Sequence, residues 1–226
     1  MPRTPRDSRP VLGLDLAGSP TRRTGCCILT GARHVIASVA YTDDDIRALV
    51  QTARPALIII DAPLSLPRGR TTIEDRSGPH LRECDRELLR RRIRFFPLTL
   101  GPMRTLTVRG MRLASEFLGR GYRVVEGYPG AAQDLLGIPR KKAGTEALRR
   151  GLLGLGLRGD LQRPNLTHDE LDAVTIARVG RMYLAGRALV TGDPTEGLMV
   201  LPRPAARRRT RSGKAIGTGS VRRAAA

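Results

Sequence analysis

A chain of 226 residues, 40% of them hydrophobic, is long enough to bury a core and suits one domain with appendages. A net charge of +19 points to a polyanionic partner, whereas 3% aromatics and no Trp argue against a base-stacking sheet. Three cysteines, Cys26, Cys27 and Cys84, give neither a disulfide framework nor a C-x-x-C zinc pattern, so buried free thiols in a reducing cytoplasm are expected.

The N-terminal MPRTPRDSRP has no apolar run, so no signal peptide is expected, and no segment approaches the ~20 apolar residues of a membrane helix. Residues 11–16, VLGLDL, read as a first strand, and Gly18 to Gly25 as a turn. Cys26 to Leu29 and Val35 to Tyr41 read as two more strands, and tight connections make the three an antiparallel meander. The period then changes. Thr42-Asp43-Asp44-Asp45 has the form of a capping box, and Ile46, Leu49, Val50 and Ala53 follow at helical spacing until Arg54-Pro55.

Leu57 to Ile60 is a continuous aliphatic run, the pattern of a strand covered on both faces, and Asp61-Ala62-Pro63 ends it. Residues 64–80 read as a loop, 83–93 and about 104–118 as helices, and Tyr122 to Tyr128 as a strand. Short helices are expected over 130–136 and 143–153, and a longer one from Thr167 to about Ala185; residues 197–202, GLMVLP, read as a last strand or an extended closing segment. This is a mixed α/β order. It matches a ribonuclease H-like core: three antiparallel strands, then parallel strands, flanked by helices and carrying a helical insertion.

Some of the acids have a purely structural explanation and others do not. Helix capping accounts for Asp43, Asp44 and Asp45, and for Glu170 as the partner of Thr167 in a second capping box. Asp172 lies past the first turn of an almost wholly apolar helix, and Asp169 shares its face at i, i+3. Asp61 ends an aliphatic strand, where ligands of open α/β sheets gather. Glu126 sits beside Gly127, which suggests a close backbone approach. Asp15, inside an apolar strand, has the weakest structural explanation of all. Such carboxylates suit hard cations, Mg²⁺ or Mn²⁺, and a carboxylate-held ion can support phosphodiester cleavage. His34, His80 and His168 adjoin no nucleophile motif, and neither a Walker A nor a dinucleotide fingerprint occurs.

The stretches GLDLAGSPTRRTG, IIIDAPLSLP, ECDRELLRRR, VVEGYPGAAQDLLGIPRKK, THDELDAVTIA and GDPTEGLMVLP together resemble the DUF429 family over roughly residues 10–202. The resemblance implies a ribonuclease H-like fold and a metal-dependent phosphodiesterase site. Asp15 matches the family's first-strand Asp, Asp61 its Asp-Ala-Pro, Glu126 its Glu-x-Tyr-Pro and Asp172 its late-helix Asp-Ala. Gly127 departs from the pattern, which has a larger residue there.

The expectation is therefore a domain over 10–202 and a basic, disordered tail over 203–226, in a cytoplasmic protein. Eight Lys or Arg and no acid lie from Arg203 onward, so without them the net charge is +11. The leading function is a nuclease acting on DNA or RNA, with Asp15, Asp61, Glu126 and Asp172 catalytic and Asp15, Glu126, Asp169 and Asp172 holding Mg²⁺ or Mn²⁺. Arg68, Arg70, Arg140, Lys141 and Lys142 would contact phosphates. The competing expectations are a non-catalytic nucleic-acid-binding adaptor and, last, a nucleotide-acting enzyme of the actin-like ATPase kind.

Overall fold

The structure is a computed structural model, and it describes residues 9–75 and 77–203; the basic tail beyond Arg203 lies outside the described residues. Strands β1 (Val11–Asp15), β2 (Thr24–Thr30) and β3 (His34–Ala40) form the expected antiparallel meander. Helix α1 (Asp43–Ala53) follows, with Thr42 and Asp45 closing the expected capping box and Arg54 turning left-handed at its end. Strand β4 (Leu57–Asp61) then lies parallel to β1.

Helices α2 (Glu83–Arg90) and α3 (Gly101–Gly119) form the helical insertion. Strand β5 (Val124–Gly127) returns parallel to β4, followed by α4 (Pro129–Leu136) and α5 (Thr145–Gly154). The two-residue β6 (Arg158–Gly159) pairs with the far edge of β3. Helix α6 (His168–Leu184) precedes a hairpin of β7 (Ala188–Asp193) and β8 (Gly197–Pro202). The eight-stranded sheet has the order β6-β3-β2-β1-β4-β5-β8-β7, with β8 parallel to β5.

Two strands escaped the sequence reading. β6 is too short to show a period. β7 and β8 flank the Gly192-Asp193-Pro194-Thr195-Glu196-Gly197 stretch, a turn signal that was legible as a hairpin. Helix α2 also ends earlier than expected. At Arg92 the backbone turns left-handed (φ 59°), and the amides of Arg92 and Ile93 bond back to Leu89 and Leu88.

Strand parity divides the core. Val11, Leu57 and Ile59 face α5 and α6, whereas Leu12, Leu14, Ile58 and Ile60 face Ile46 and Val50 of α1 and Leu113 and Phe117 of α3. Cys26, Cys27 and Cys84 are all buried free thiols, as expected. Among the described residues no helix is long and apolar enough to cross a membrane.

Helix α6 lies unusually close to the sheet. A Cβ on Gly13 would stand 2.4 Å from the Ala173 carbonyl oxygen, and one on Gly25 only 2.0 Å from that of Asp169. Both obstacles are backbone, which cannot swing aside. Gly25→Ala should therefore push the start of α6 off the sheet and cost roughly 1–3 kcal/mol or more in urea unfolding. Gly119→Ala, whose Cβ would meet nothing within 4 Å, should leave stability unchanged or raise it slightly.

Candidate carboxylate site

Asp15 and Asp61 end adjacent parallel strands and are direct partners in the register. Both lie at odd positions, so both carboxyls point to the α6 side of the sheet, the side of Val11, Leu57 and Ile59. Their chains are partly exposed at the strand ends, yet protein crowds the carboxyls. Desolvation, and then the charges of Asp61, Asp172 and Asp169, push Asp15 well above the ordinary carboxylate range. Desolvation and the Asp172 charge likewise push Asp61 up to about 7. A hydrogen bond joins the two side chains, so the pair retains a proton where free carboxyls would have lost both.

Helix α6 supplies the third and fourth acids from its first two turns. Thr167 accepts from the Glu170 amide while Glu170 accepts from the Thr167 amide, which fixes the helix start. The contact with Gly25 lays that start across the end of β1, opposite Asp15. Asp172 is buried, and burial raises its pKa against the opposing pull of Gln133 and Lys141. The Gln133 side-chain nitrogen donates to Asp172 Oδ1 at 2.6 Å, and Lys141 Nζ stands 3.7 Å from Oδ2. Asp169 lies at the rim, 4.0 Å from Arg23. Lys141 is therefore turned toward the acids, and the charges of Asp172, Asp15, Asp61 and Asp169 raise its pKa against desolvation.

Glu126 is used differently from expectation. It pairs in register with Ile60, so it projects to the opposite face of the sheet from Asp15 and Asp61. There the fully buried Arg82 donates to both its oxygens, at 2.6 and 2.7 Å, and the Leu64 amide donates at 2.9 Å. Arg82 also grips Asp85. Glu126 thus anchors the chain leaving the Asp61-Ala62-Pro63 turn rather than offering oxygens to an ion. Gly127, on the α6 side, does make the expected close approach: a Cβ there would meet Ile59 at 2.8 Å.

The basic residues also divide. Arg70 is buried, with its guanidinium donating to the carbonyls of Thr72, Asp75, Gly78 and Pro79, so it staples its own loop and cannot reach a phosphate. Arg68 is exposed but bound to Asp193 and Thr195. Arg140 forms a two-pronged pair with Asp134. Lys142 is exposed beside Lys141.

Three positioning residues, Gln133, Arg82 and Arg109, were not singled out from the sequence. Buried Arg109 donates to the carbonyls of Ala17, Ser19 and Tyr41 and pairs with Asp43, fixing the loop that follows Asp15. Asp43 thereby does more than cap α1. For Arg82, the spacing of Asp85 three residues later was the available signal.

The donor set is made of carboxylate oxygens, which suits Mg²⁺ or Mn²⁺ in kind. Among the described residues no three His, Cys, Asp or Glu side chains are arranged to hold an ion as they stand. Asp15 and Asp61 are paired to each other, and Asp172 is held by Gln133 and Lys141.

A central antiparallel meander extended by parallel strands, in the order β3-β2-β1-β4-β5 and flanked by helices, is a fold of the ribonuclease H-like class. Within that class the chain belongs to the DUF429 family: residues 13–196 match the family described as a protein of unknown function. No curated protein matches it. Among solved structures it is similar to Thermus thermophilus RuvC in complex with a Holliday junction substrate, at 14% identity and a TM-score of 0.44, covering 79% of this chain and 96% of that one. A second T. thermophilus RuvC structure matches at 14% identity and a TM-score of 0.43, covering 78% and 96%.

Two outcomes follow. Arg82→Met leaves Glu126 and Asp85 buried without a cation and should cost about 3–5 kcal/mol in chemical unfolding, part of it recovered by adding Glu126→Gln. The second concerns pH. Asp15 and Asp61 bind protons more tightly folded than unfolded, so the native state holds more protons between the ordinary carboxylate range and about 7, and stability falls as pH rises through that window. Asp15→Asn should therefore gain melting temperature over the wild type at pH 8 and gain least at pH 5; an equal change at both would contradict the assignment.

Proposed function

We propose that this protein is a divalent-metal-dependent nuclease that hydrolyses phosphodiester bonds of DNA or RNA at the Asp15–Asp61–Asp172 site. The observation that carries the reading is the convergence of desolvated acids from β1, β4 and α6 on one face of the sheet. Structural needs explain none of the three. The charges of Asp61 and Asp172 raise the pKa of Asp15, and the charge of Asp172 raises that of Asp61, an arrangement that costs stability unless a cation offsets it.

In this reading Asp15, Asp61 and Asp172 hold Mg²⁺ or Mn²⁺, and Asp169 at the rim orients water or completes the set. The ion, when bound, lowers the pKa of a coordinated water and stabilises charge on the phosphate oxygens. Gln133 keeps the Asp172 carboxylate facing the sheet. Lys141 contacts the phosphate, and Lys142 and Arg68 extend the electrostatic surface. Arg109 holds the Ala17–Ser19 loop, whose turn lies next to Asp15. Glu126 and Arg82 keep the Asp61 turn in place without touching the substrate.

Incubation with single-stranded, duplex, hybrid and branched labelled oligonucleotides in Mn²⁺ tests the reading. Cleavage is expected on at least one substrate, reduced about 10²–10³-fold by Asp15→Asn, Asp61→Asn or Asp172→Asn. Identical behaviour of wild type and Asp15→Asn on every substrate would overturn it. Among the described residues no three acids are set to hold an ion as they stand, which favours one alternative, a binding protein without catalysis. Salt-sensitive, metal-independent oligonucleotide binding that survives all three substitutions, with no cleavage, would select it.

A further inference from the structure

Phe96 is 68% exposed, the most exposed large hydrophobic among the described residues, in a chain with three Phe and no Trp. It belongs to an extended stretch, residues 93–97, in which side chains alternate. Ile93 is buried and Phe95 packs against the core cluster that includes Cys84 and Leu88, while Arg94 and Phe96 face outward together. Pro97 restricts Phe96 to extended backbone.

The stretch is pinned at several points. The left-handed turn at Arg92 starts it. The Tyr128 hydroxyl donates to the Arg94 carbonyl at 2.6 Å, Leu98 is buried, and Arg104 donates to the Thr99 carbonyl at 2.9 Å. Tyr128 directly follows β5; burial raises its pKa against the pull of the Arg140 charge. The ring is thus displayed on a fixed segment that Tyr128 ties to the end of β5, the strand beside β4 and its terminal Asp61.

An exposed, rigidly held phenyl gains nothing from folding. The neighbouring cations are uncommitted as well: among the described residues neither Arg92 nor Arg94 has an ion-pair partner. Arg90 and Arg91, by contrast, are bound to Glu83 and Glu87. The face therefore offers a π-surface and free guanidinium charge at alternate positions. A nucleic-acid strand presents the matching pair, a base face and a phosphate.

We propose that Phe96, with Arg94 beside it, is a stacking site for an unpaired base of the nucleic acid bound at the carboxylate site. The proposal rests on the nucleic-acid reading of that site and deepens it: the preferred substrate carries an unpaired or flipped-out base near the cleaved phosphate. A fully stacked duplex has no base face to offer, so discrimination comes from Phe96 and not from the basic surface. One ring differs from the multi-aromatic sheet that the composition argues against.

The test is fluorescence anisotropy in EDTA, which separates binding from cleavage, with a duplex, the same duplex bearing a single-base bulge, and a single strand. Phe96→Ala should weaken binding of the bulged and single-stranded probes about 5- to 150-fold and leave the duplex unchanged. Phe96→Leu should resemble Ala, because it keeps apolar bulk but loses the ring. Phe96→Trp should restore affinity, and its emission, the only Trp signal in the chain, should be quenched by unpaired probes. Unchanged binding in Phe96→Ala, or an equal loss on all three probes, would overturn the stacking site while leaving the nuclease reading intact. Trp emission that responds to self-association and not to oligonucleotide would assign the face to a second copy of the chain and overturn it too. Failure of the wild type to bind any probe would overturn the stacking site, and cleavage in Mn²⁺ would still decide the nuclease reading.

Discussion

The site depends on how closely α6 is laid onto the sheet. Asp15, Asp61 and Asp172 repel one another, and nothing in their own chemistry would bring them together. What brings them together is the absence of side chains at Gly13 and Gly25, which lets the α6 backbone touch β1 and β2. The apolar face of α6, with Leu171, Ala173, Val174, Ile176 and Ala177 all buried, supplies the hydrophobic stabilisation that offsets the electrostatic cost. The capping box at Thr167 fixes where the helix begins, and so which turn carries Asp172 past the end of β1.

A second layer holds the loops around that centre. Arg82 ties Glu126 and Asp85 together beneath the Asp61 turn, and Arg109 collects three carbonyls of the segments that leave β1 and β3. Both guanidiniums are buried and fully engaged. They make the two strand ends rigid enough for two carboxyls to share a proton. Lys141 has a different character. Its side chain is 62% exposed and its ammonium leans on Asp172 from outside, so it is a cation that can move.

Much of this was legible in the sequence because burial of a charge is a local contradiction. Asp15 in VLGLDL and Asp172 before Ala-Val-Thr-Ile-Ala stood out from acids that cap helices, and those caps formed as read at Thr42 and Thr167. Glu126 shows where the reading stops. Its parity relative to Asp61 depends on the β4–β5 register, which no local pattern encodes, and one residue of register decides which face of the sheet a side chain takes. Arg82, Arg109 and Arg70 were hidden for another reason. In a chain with 40 Lys and Arg, an arginine that staples loops looks like one that waits for a phosphate. Phe96 was visible only once the alternation of Ile93 to Pro97 could be set against burial.

The central claim is that the acids of β1, β4 and α6 exist to hold a divalent cation. Calorimetric titration of the protein with Mn²⁺ near pH 7, in buffers of different ionisation enthalpy, addresses it most directly. The account predicts saturable binding accompanied by proton release, because the ion displaces the proton shared by Asp15 and Asp61, and loss of both signals in Asp15→Asn. Mn²⁺ binding that releases no proton and is equally tight in Asp15→Asn, or no saturable binding by the wild type, would contradict it.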